Sequence, residues 1–315
     1  TSVGAPGFAT GEVVFNTAMA GYQEILTDPS YAQQIVTMTA SHIGNYGVTG
    51  RDDQARRPLC TGLITRAMTK RPSNWRSEVD LPAWLRQHGL VALTDVDTRR
   101  LTRHLRDHGA MPGVISSDAD APNLLERAAT APHMVGVELA TKVTTEAAYE
   151  VAAAGAVRGR VVAIDLGIKR RIVDELTSRG LTTHVVPAGT SADEILALEP
   201  DGIFLSNGPG DPEPLVGVVA TVQSLLGTRP VFGICLGHQV LGLALGARTF
   251  KLSFGHHGGN HPVQRVSDGR VQITAQNHGF AVNVGTDAAG LTSGLYYYRM
   301  SSGDQRAVGK MTLLR

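Results

Sequence analysis

The feature that most constrains this chain is an alternation of strand-like and helix-like segments that begins near residue 160. Each apolar run is followed by a stretch with helical periodicity, and the four runs are RVVAIDLG (160–167), THVVPA (183–188), GIFLSNGPG (202–210) and PVFGICLG (230–237). Strands that alternate with helices of this length predict a doubly wound, mostly parallel sheet. Helices on both faces of such a sheet would explain why the runs are continuously apolar.

The first half of the chain has a less regular pattern. Two runs, GEVVFNTAM (11–19) and QIVTMTA (34–40), are typical of strands. Two others, DLPAWLRQHGL (80–90) and TRRLTRHLRDHG (98–109), are typical of helices that end at a glycine. These elements predict a mixed α+β domain without an internal repeat.

A change of composition separates the two regions. YEVAAAGAVRG (149–159) consists mainly of small residues and has no periodicity, which is typical of a linker. We therefore predict an α/β protein in which an N-terminal mixed α+β domain spans 1–148, a linker spans 149–159, and a doubly wound, mostly parallel-sheet domain spans 160–315. A chain of 315 residues is long enough for two domains with separate cores.

Composition and charge exclude several classes of function. With 42% hydrophobic and 18% charged residues the composition is globular. A formal net charge of +1 gives no electrostatic reason to bind nucleic acid or an acidic membrane surface. Two cysteines, Cys60 and Cys235, cannot form a disulfide framework, so we expect a reducing compartment and a cytoplasmic protein.

The start of the chain carries one further expectation. The segment TSVGAPGFATGEVV lacks the basic and apolar regions of a signal peptide. The chain also opens without Met, just before a strand-like run, which suggests that the natural N-terminus lies upstream.

The sharpest candidate for chemistry is Gly233-Ile-Cys235-Leu-Gly237, a G-x-C-x-G pattern between a predicted strand and a predicted helix. This pattern is typical of a nucleophile elbow with sulfur in place of the hydroxyl oxygen. Cys235 would then lie at a helix N-terminus, where the helix dipole favours the thiolate. The backbone N–H of Leu236 would be placed to stabilise an oxyanion. The alternative is a structural cysteine buried in an apolar strand.

A second candidate, SNGPGDP (206–212), follows the preceding predicted strand. Ligands of doubly wound sheets bind at the carboxyl ends of the strands, so Gly208 or Gly210 could supply a second N–H to an oxyanion. The alternative is an ordinary turn built from turn-forming residues.

Three histidines, His256, His257 and His261, fall in GHHGGNHP (255–262). No carboxylate or cysteine has ligand spacing beside them, and the glycines favour a flexible polar loop over a zinc site.

Two other segments have a plain interpretation. QNHGF (276–280) follows the strand-like VQITA (271–275), and its residues alone favour a polar turn over a substrate-contact loop. Cys60 lies in RRPLCTGLI among apolar residues and is interpreted as a packing residue.

The motifs also resemble a known family. GICLGHQ (233–239) and SNGPGDP (206–212) together resemble the triad class of glutamine amidotransferase domains. Four further segments resemble the small, glutamine-hydrolysing chain of carbamoyl-phosphate synthetase, and they are FNTAMAGYQEILTDPSY (15–31), SHIGNYG (41–47), FGHHGGNHPV (254–263) and AQNHGFAV (275–282). The N-terminal motifs are specific to that family, because other amidotransferases lack this domain.

The resemblance implies a role for each matching residue. Cys235 is implied to be the nucleophile that attacks the glutamine carboxamide and releases ammonia. The residues implied to contact glutamine or its oxyanion are Ser30, Gly208, Gly210, Leu236, Gln239, Asn277, Gly279 and Phe280. Lys169, in LGIKR, matches a lysine near the domain junction.

The resemblance also implies a partner. The family delivers ammonia to a large subunit that uses ATP, Mg and bicarbonate to make carbamoyl phosphate, which feeds both arginine and pyrimidine biosynthesis. This chain has no G-x-x-x-x-G-K-[ST] loop, which agrees with ATP chemistry on the partner. We expect glutamine as the substrate, no cofactor or metal on this chain, and no nucleic-acid or membrane partner.

The C-terminal region departs from the family pattern. The family's general base is a His followed two residues later by an acidic partner, yet here no His follows His278 and no Glu follows Glu213. We therefore expect that the tail after about residue 285 is truncated, replaced or altered by a frame change; the alternative is a natural, divergent ending. General acid–base catalysis contributes roughly 10²–10⁴-fold, so the sequence as it stands predicts weak or absent glutaminase activity. Two alternatives follow: a non-catalytic docking subunit, or an unrelated cysteine hydrolase, against which the N-terminal motifs argue.

Overall fold

The computed structural model of the protein describes residues 1–265, 268–283, 294–302 and 305–313. The chain divides into two compact units. The first consists of Thr1–Met134, Ser253–Asn260 and Ala275–Gly279. The second consists of Val135–Leu252, His261–Thr274 and Phe280–Arg315. The predicted division at residues 148 and 159 stays a prediction.

A five-stranded sheet forms the centre of the first unit. Its strands are β1 (Phe8–Asn16), β2 (Gln34–Met38), β3 (Gly62–Ile64), β4 (Val91–Leu93) and β5 (Met111–Ser116). The spatial order is β4-β3-β2-β1-β5, in which the first four strands are parallel and β5 runs antiparallel to β1. Every residue of β2 is buried, as expected for a strand covered on both faces.

Short helices cover this sheet. They are α1 (Tyr22–Leu26), a 3₁₀ turn (Pro29–Tyr31), α2 (Leu81–Gln87), α3 (Thr98–His108) and α4 (Leu124–Ala129). Aspartate caps begin two of them: Asp80 accepts a hydrogen bond from the Ala83 N–H at 2.8 Å, and Asp97 accepts one from the Arg100 N–H at 3.0 Å. The predictions of helices over 80–90 and 98–109 are confirmed.

The second unit contains another five-stranded sheet. Its elements in chain order are α5 (Ala140–Val143), β6 (Tyr149–Val151), β7 (Gly159–Asp165), α6 (Arg170–Ser178), β8 (Leu181–Pro187), α7 (Ala192–Ala197), β9 (Gly202–Leu205), α8 (Val216–Leu225), β10 (Val231–Gly233) and α9 (Leu236–Ala244). The order is β10-β9-β7-β8-β6, and the first four strands are parallel. The predicted doubly wound, mostly parallel sheet is confirmed. Val162, Ala163 and Ile164 are all fully buried because both faces of β7 are covered.

The predicted linker over 149–159 is partly regular. Tyr149–Val151 forms β6, which pairs antiparallel with β8 at the edge of the second sheet. Its small, aperiodic sequence gave no strand signal, because an edge strand of three residues is too short for an alternating pattern.

A long two-stranded ribbon corrects two predictions. It consists of β11 (Arg248–Gln264) and β12 (Val271–Asn283). The flexible loop expected at 255–262 and the turn expected at 276–280 are therefore wrong, since both segments are paired strands. The glycine-rich part is held by close backbone approach: Thr17 N–H donates to the His257 carbonyl at 3.0 Å. A Cβ on Gly258 (φ 149°) would lie 2.0 Å from Thr17 Oγ1.

The last described segments form a hairpin. β13 (Gly294–Ser302) pairs antiparallel with β14 (Gln305–Leu313). The hypothesis of an altered tail concerns a region that is largely outside the described residues, since these two backbone segments are all that is described after residue 283. Across the described residues, every helix is too short or too polar to traverse a lipid bilayer.

Replacement of Leu85 by Ala should destabilise the first unit. Leu85 lies in α2 and is fully buried in a core with Leu63, Leu81 and Trp84. Large-to-small changes of this kind cost about 2–5 kcal/mol, because they remove apolar contact and leave a cavity. Chemical denaturation measures the loss. The control Leu125→Ala, also in a helix of the first unit but 88% exposed, should change stability little.

Candidate active site

Cys235 lies at a sharp corner between β10 and α9, as the sequence predicts. It is the N-cap residue of α9, with φ 54° and ψ −113°. Such a conformation costs a residue other than glycine roughly 1–3 kcal/mol, so the surrounding structure must impose it. Hydrogen bonds on both sides do so: Ile234 N–H donates to Leu205 O at 3.1 Å, and Gly237 N–H donates to Ser206 O at 2.9 Å. Cys235 as a whole residue is partly exposed.

Two glycines allow the strand and the helix to approach this closely. A Cβ on Gly237 would lie 2.3 Å from the carbonyl oxygen of Leu205, at the end of β9. A Cβ on Gly233 would lie 2.6 Å from the carbonyl carbon of Gly237. Neither position has room for a side chain, so the first turn of α9 is packed directly on backbone. This is the arrangement that the G-x-C-x-G pattern predicts.

The loop after β9 lies beside the same corner. A Cβ on Gly208 would be 2.0 Å from Leu166 O and 2.8 Å from Leu236 Cδ2. Gly208 thus lies beside the side chain of Leu236, the residue that follows Cys235. Gly210 has φ 88°, and a Cβ there would lie 2.7 Å from Val137 O. Gly208 and Leu236, predicted from separate motifs, are therefore neighbours.

A buried polar cluster holds the start of this loop. Ser206 Oγ accepts a hydrogen bond from Leu166 N–H at 2.9 Å. Asn207 donates to Gly167 O at 2.8 Å and accepts from the Lys169 N–H at 3.1 Å. Lys169 is therefore linked to the loop through its backbone. The cluster joins the carboxyl ends of β7 and β9.

Asp165 completes the cluster at the end of β7. Its carboxylate accepts hydrogen bonds from the backbone N–H groups of Thr145, Gly167 and Ile168, at 2.8, 2.7 and 2.6 Å. Burial raises the pKa of this carboxyl, and the three hydrogen bonds oppose that rise.

Gln239 and Phe280 are also in contact. The buried Gln239 Nε2 donates to the carbonyl oxygen of Phe280 at 2.8 Å. The ammonium of Lys251 lies 5.0 Å from the centre of the Phe280 ring, within cation–π range. No sequence pattern pointed to Lys251, because the contact depends on how β11 and β12 pair.

The predicted contact residues are divided between the two units. Cys235, Gly208, Gly210, Leu236, Gln239 and Phe280 belong to the second unit, whereas Ser30, Asn277 and Gly279 belong to the first. Within the first unit, Ser30 and Asn277 share a partner. Asp28 accepts a hydrogen bond from Ser30 N–H at 2.9 Å and another from Asn277 Nδ2 at 2.8 Å. Asp28 was not singled out from the sequence.

Histidine side chains contact polar side chains across the ribbon. His256 Nδ1 and His278 Nε2 are 3.1 Å apart, with their rings edge to face, and His257 Nδ1 lies 2.8 Å from Asn277 Oδ1. In the part of the chain that the structure describes, no group of three or more His, Cys, Asp or Glu residues could hold a metal ion.

Cys60 contrasts with Cys235. It is 4% exposed, lies in the core of the first unit, and has its sulfur 3.6 Å from the Leu26 carbonyl oxygen. Burial raises the pKa of the Cys60 thiol to about 12, because the thiolate would lose its hydration. The interpretation of Cys60 as a packing residue is confirmed.

Comparison with known proteins identifies the family. The chain matches the model of the carbamoyl-phosphate synthase small chain, CPSase domain, over residues 1–115 and that of class-I glutamine amidotransferases over 162–311. The carbamoyl phosphate synthase small chain of Syntrophotalea carbinolica is 52% identical over 292 residues, which cover 89% of this chain and 78% of that one. The chain belongs to the carbamoyl phosphate synthase small chain family.

Other members of the family match equally well. The carbamoyl phosphate synthase small chains of Xanthomonas campestris pv. campestris and Pseudomonas aeruginosa are 50% and 52% identical to it. Each match covers 90% of this chain, and 79% and 80% of the two relatives. The family resemblance that the motifs indicated is thus confirmed.

Replacement of Gly237 by Ala should disrupt the corner. The new methyl group would collide with the Leu205 backbone, and overpacking of this kind costs roughly 1–3 kcal/mol or more. Thermal or chemical denaturation measures the loss. The control Gly217→Ala lies in helix α8 with open space around its Cα, and it should be neutral or stabilise by up to about 1 kcal/mol. Equal effects of the two changes would contradict the close packing of α9 on β9.

The two cysteines should differ in alkylation. At pH 8 iodoacetamide should label Cys235, which is partly exposed, and leave Cys60 unmodified, because its buried thiol stays protonated. Intact-mass spectrometry of the folded chain should show one adduct, and Cys235→Ser should show none. Two adducts on the folded chain would contradict the burial of Cys60.

Proposed function

We propose that this chain hydrolyses glutamine through a thioester on Cys235 and delivers the ammonia to a large subunit for carbamoyl phosphate synthesis. The observation that carries the proposal is that Cys235, a partly exposed residue, is held at φ 54° at the start of α9. A strained backbone that the surrounding packing imposes on a reactive side chain is typical of a nucleophile elbow.

The chemistry divides into two steps. The Cys235 sulfur adds to the carboxamide carbon of glutamine, the C–N bond breaks, and the proton given up by the thiol passes to the leaving nitrogen, which departs as ammonia. Water then attacks the thioester carbon, the C–S bond breaks, and one proton of the water passes to the sulfur, so that glutamate leaves and the thiol is restored. In both steps negative charge develops on the former carboxamide oxygen, where backbone N–H groups stabilise it.

The remaining predicted residues bind the substrate in this proposal. Leu236 and the Gly208–Gly210 loop supply backbone groups near the oxyanion, and the proximity of Gly208 to the Leu236 side chain supports this role. Gln239 binds glutamine beside the nucleophile. Ser30 and the ribbon residues Asn277, Gly279 and Phe280 bind the substrate, with the ribbon residues at its α-amino and α-carboxylate end.

The large subunit completes the reaction in this proposal. It binds ATP, Mg and bicarbonate, and combines bicarbonate with the ammonia released by this chain, in the cytoplasm. The family membership supports this assignment, since the relatives are named as small chains of carbamoyl phosphate synthase.

Replacement of Cys235 by Ser tests the proposal. The chain is paired with a carbamoyl phosphate synthase large subunit, and product formation is measured with glutamine and with ammonia as nitrogen donors. Cys235→Ser should abolish glutamine-dependent synthesis, because the hydroxyl is a poor nucleophile here, and should leave ammonia-dependent synthesis unchanged. Cys60→Ser serves as the control cysteine replacement and should retain both activities if it folds.

Two outcomes would contradict the proposal. Equal loss of both activities in Cys235→Ser would mean that Cys235 has a structural role. A wild-type chain that supports ammonia-dependent but no glutamine-dependent synthesis would favour the alternative of a non-catalytic docking subunit.

A further inference from the structure

We infer that Asp28 is a positioning residue for glutamine binding, which acts through Ser30 and Asn277. This inference rests on the proposed function, because it takes those two residues as glutamine contacts. Asp28 lies between the end of α1 and the 3₁₀ turn Pro29–Tyr31 and is 2% exposed. A carboxylate at this depth is held only where hydrogen bonds replace its water.

The two oxygens of Asp28 have different partners. Oδ1 accepts from the backbone N–H of Ser30 at 2.9 Å and caps the 3₁₀ turn. Oδ2 accepts from Nδ2 of Asn277, 249 residues further along the chain, at 2.8 Å. One buried carboxylate therefore ties the turn that carries Ser30 to the strand that carries Asn277. Hydrogen bonds to charged groups are shorter and stronger than those between neutral groups, so this link is a rigid one.

The carboxylate also orients the Asn277 amide. An ionised carboxylate only accepts hydrogen bonds, so the amide must turn its NH₂ group towards Asp28. Asn277 Oδ1 then faces His257, whose Nδ1 is 2.8 Å away. Because Oδ1 is an acceptor, His257 must carry its proton on Nδ1. His257 is 4% exposed, and its carbonyl accepts from Thr17 N–H at 3.0 Å, so the imidazole is held in place as well.

The chain Asp28, Asn277, His257 thus has one consistent set of donors and acceptors. A neutral amide at position 28 would reverse the direction of the hydrogen bonds from Asn277 onward. Its oxygen would accept from Ser30 N–H, and its NH₂ group would face Asn277, which must then flip to present Oδ1. The flipped amide would offer its NH₂ group to His257, which would have to move its proton to Nε2.

The variant Asp28→Asn tests this role in the complex with a large subunit. We expect the KM for glutamine to rise roughly 10- to 100-fold, the range for loss of a hydrogen bond to a charged group, with a smaller change in kcat. Ammonia-dependent synthesis should be unchanged. The matched control is Asp80→Asn. Asp80 also caps a helix in the first unit, by accepting from Ala83 N–H at 2.8 Å, so Asp80→Asn reports the effect of a neutral amide at a capping position alone.

A spectroscopic measurement checks the network without activity. Nitrogen-15 NMR of labelled histidine should show His257 of the wild-type chain with its proton on Nδ1, and of Asp28→Asn with its proton on Nε2. The double variant Asp28→Asn, Asn277→Asp places the carboxylate at the other position and should return the proton to Nδ1. Asp80→Asn should leave the His257 signal unchanged. A variant that fails to fold leaves the wild-type spectrum as the deciding observation.

The outcomes separate this inference from the proposed function. Absence of glutamine-dependent synthesis in the wild-type chain would overturn the proposed function and the positioning role with it. Normal wild-type activity with an unchanged glutamine KM in Asp28→Asn would overturn only the positioning role. A wild-type His257 with its proton on Nε2 would overturn the proposed orientation whatever the kinetics show.

Discussion

The close packing of the first turn of α9 on the end of β9 is the constraint on which the candidate site depends. Gly237 lies so near the Leu205 carbonyl that no side chain fits between them. With the helix fixed there, the chain can leave β10 and enter α9 only through a tight corner, and Cys235 occupies it at φ 54°. The strained backbone of Cys235 follows from this contact, because the packing of the helix on the sheet imposes the conformation of the one residue that connects them.

The same principle extends along the carboxyl edge of the second sheet. Three polar residues lie at the ends of β7 and β9: Asp165, Ser206 and Asn207. Their side chains form hydrogen bonds with backbone N–H and carbonyl groups of neighbouring loops. These bonds hold the Gly208 loop against Leu236. Buried polar groups that are fully bonded make such an edge rigid, and a rigid edge can present backbone N–H groups in a fixed direction.

In the first unit a buried carboxyl side chain also holds predicted contact residues in place. Asp28 is buried and connects a short turn near the N-terminus with a ribbon strand near residue 277. In each unit, therefore, the predicted glutamine contacts are attached to buried hydrogen-bonded groups. The residues that support them, Asp28 and Asp165, are buried carboxyl side chains, whereas the predicted contacts themselves are mostly glycine and neutral side chains.

The accuracy of the sequence analysis followed the length and periodicity of each element. The alternation of β7 to β10 with helices could be predicted, because apolar runs separated by helical stretches are compatible with few other folds. The strands β3, β4 and β6 went unpredicted, since three residues show no alternation. The six-residue strand β5 also went unpredicted, because it contains Pro112 and Gly113, which are unfavourable inside a strand. Two parts of the ribbon, 255–262 and 276–280, were misread because glycine, asparagine and histidine are typical of loops, and their strand conformation comes from the pairing of β11 with β12.

The amino-acid sequence by itself determined the doubly wound sheet, the corner that holds Cys235 and the family, because these depend on local patterns and on motifs contiguous in the chain. Only the tertiary structure decided that Gly208 touches Leu236, that Gln239 bonds the Phe280 carbonyl, and that Asp28 connects Ser30 with Asn277. Each of these contacts joins residues that are well separated along the chain. Such pairs come together only when the whole unit has packed, so no local pattern of residues can specify them.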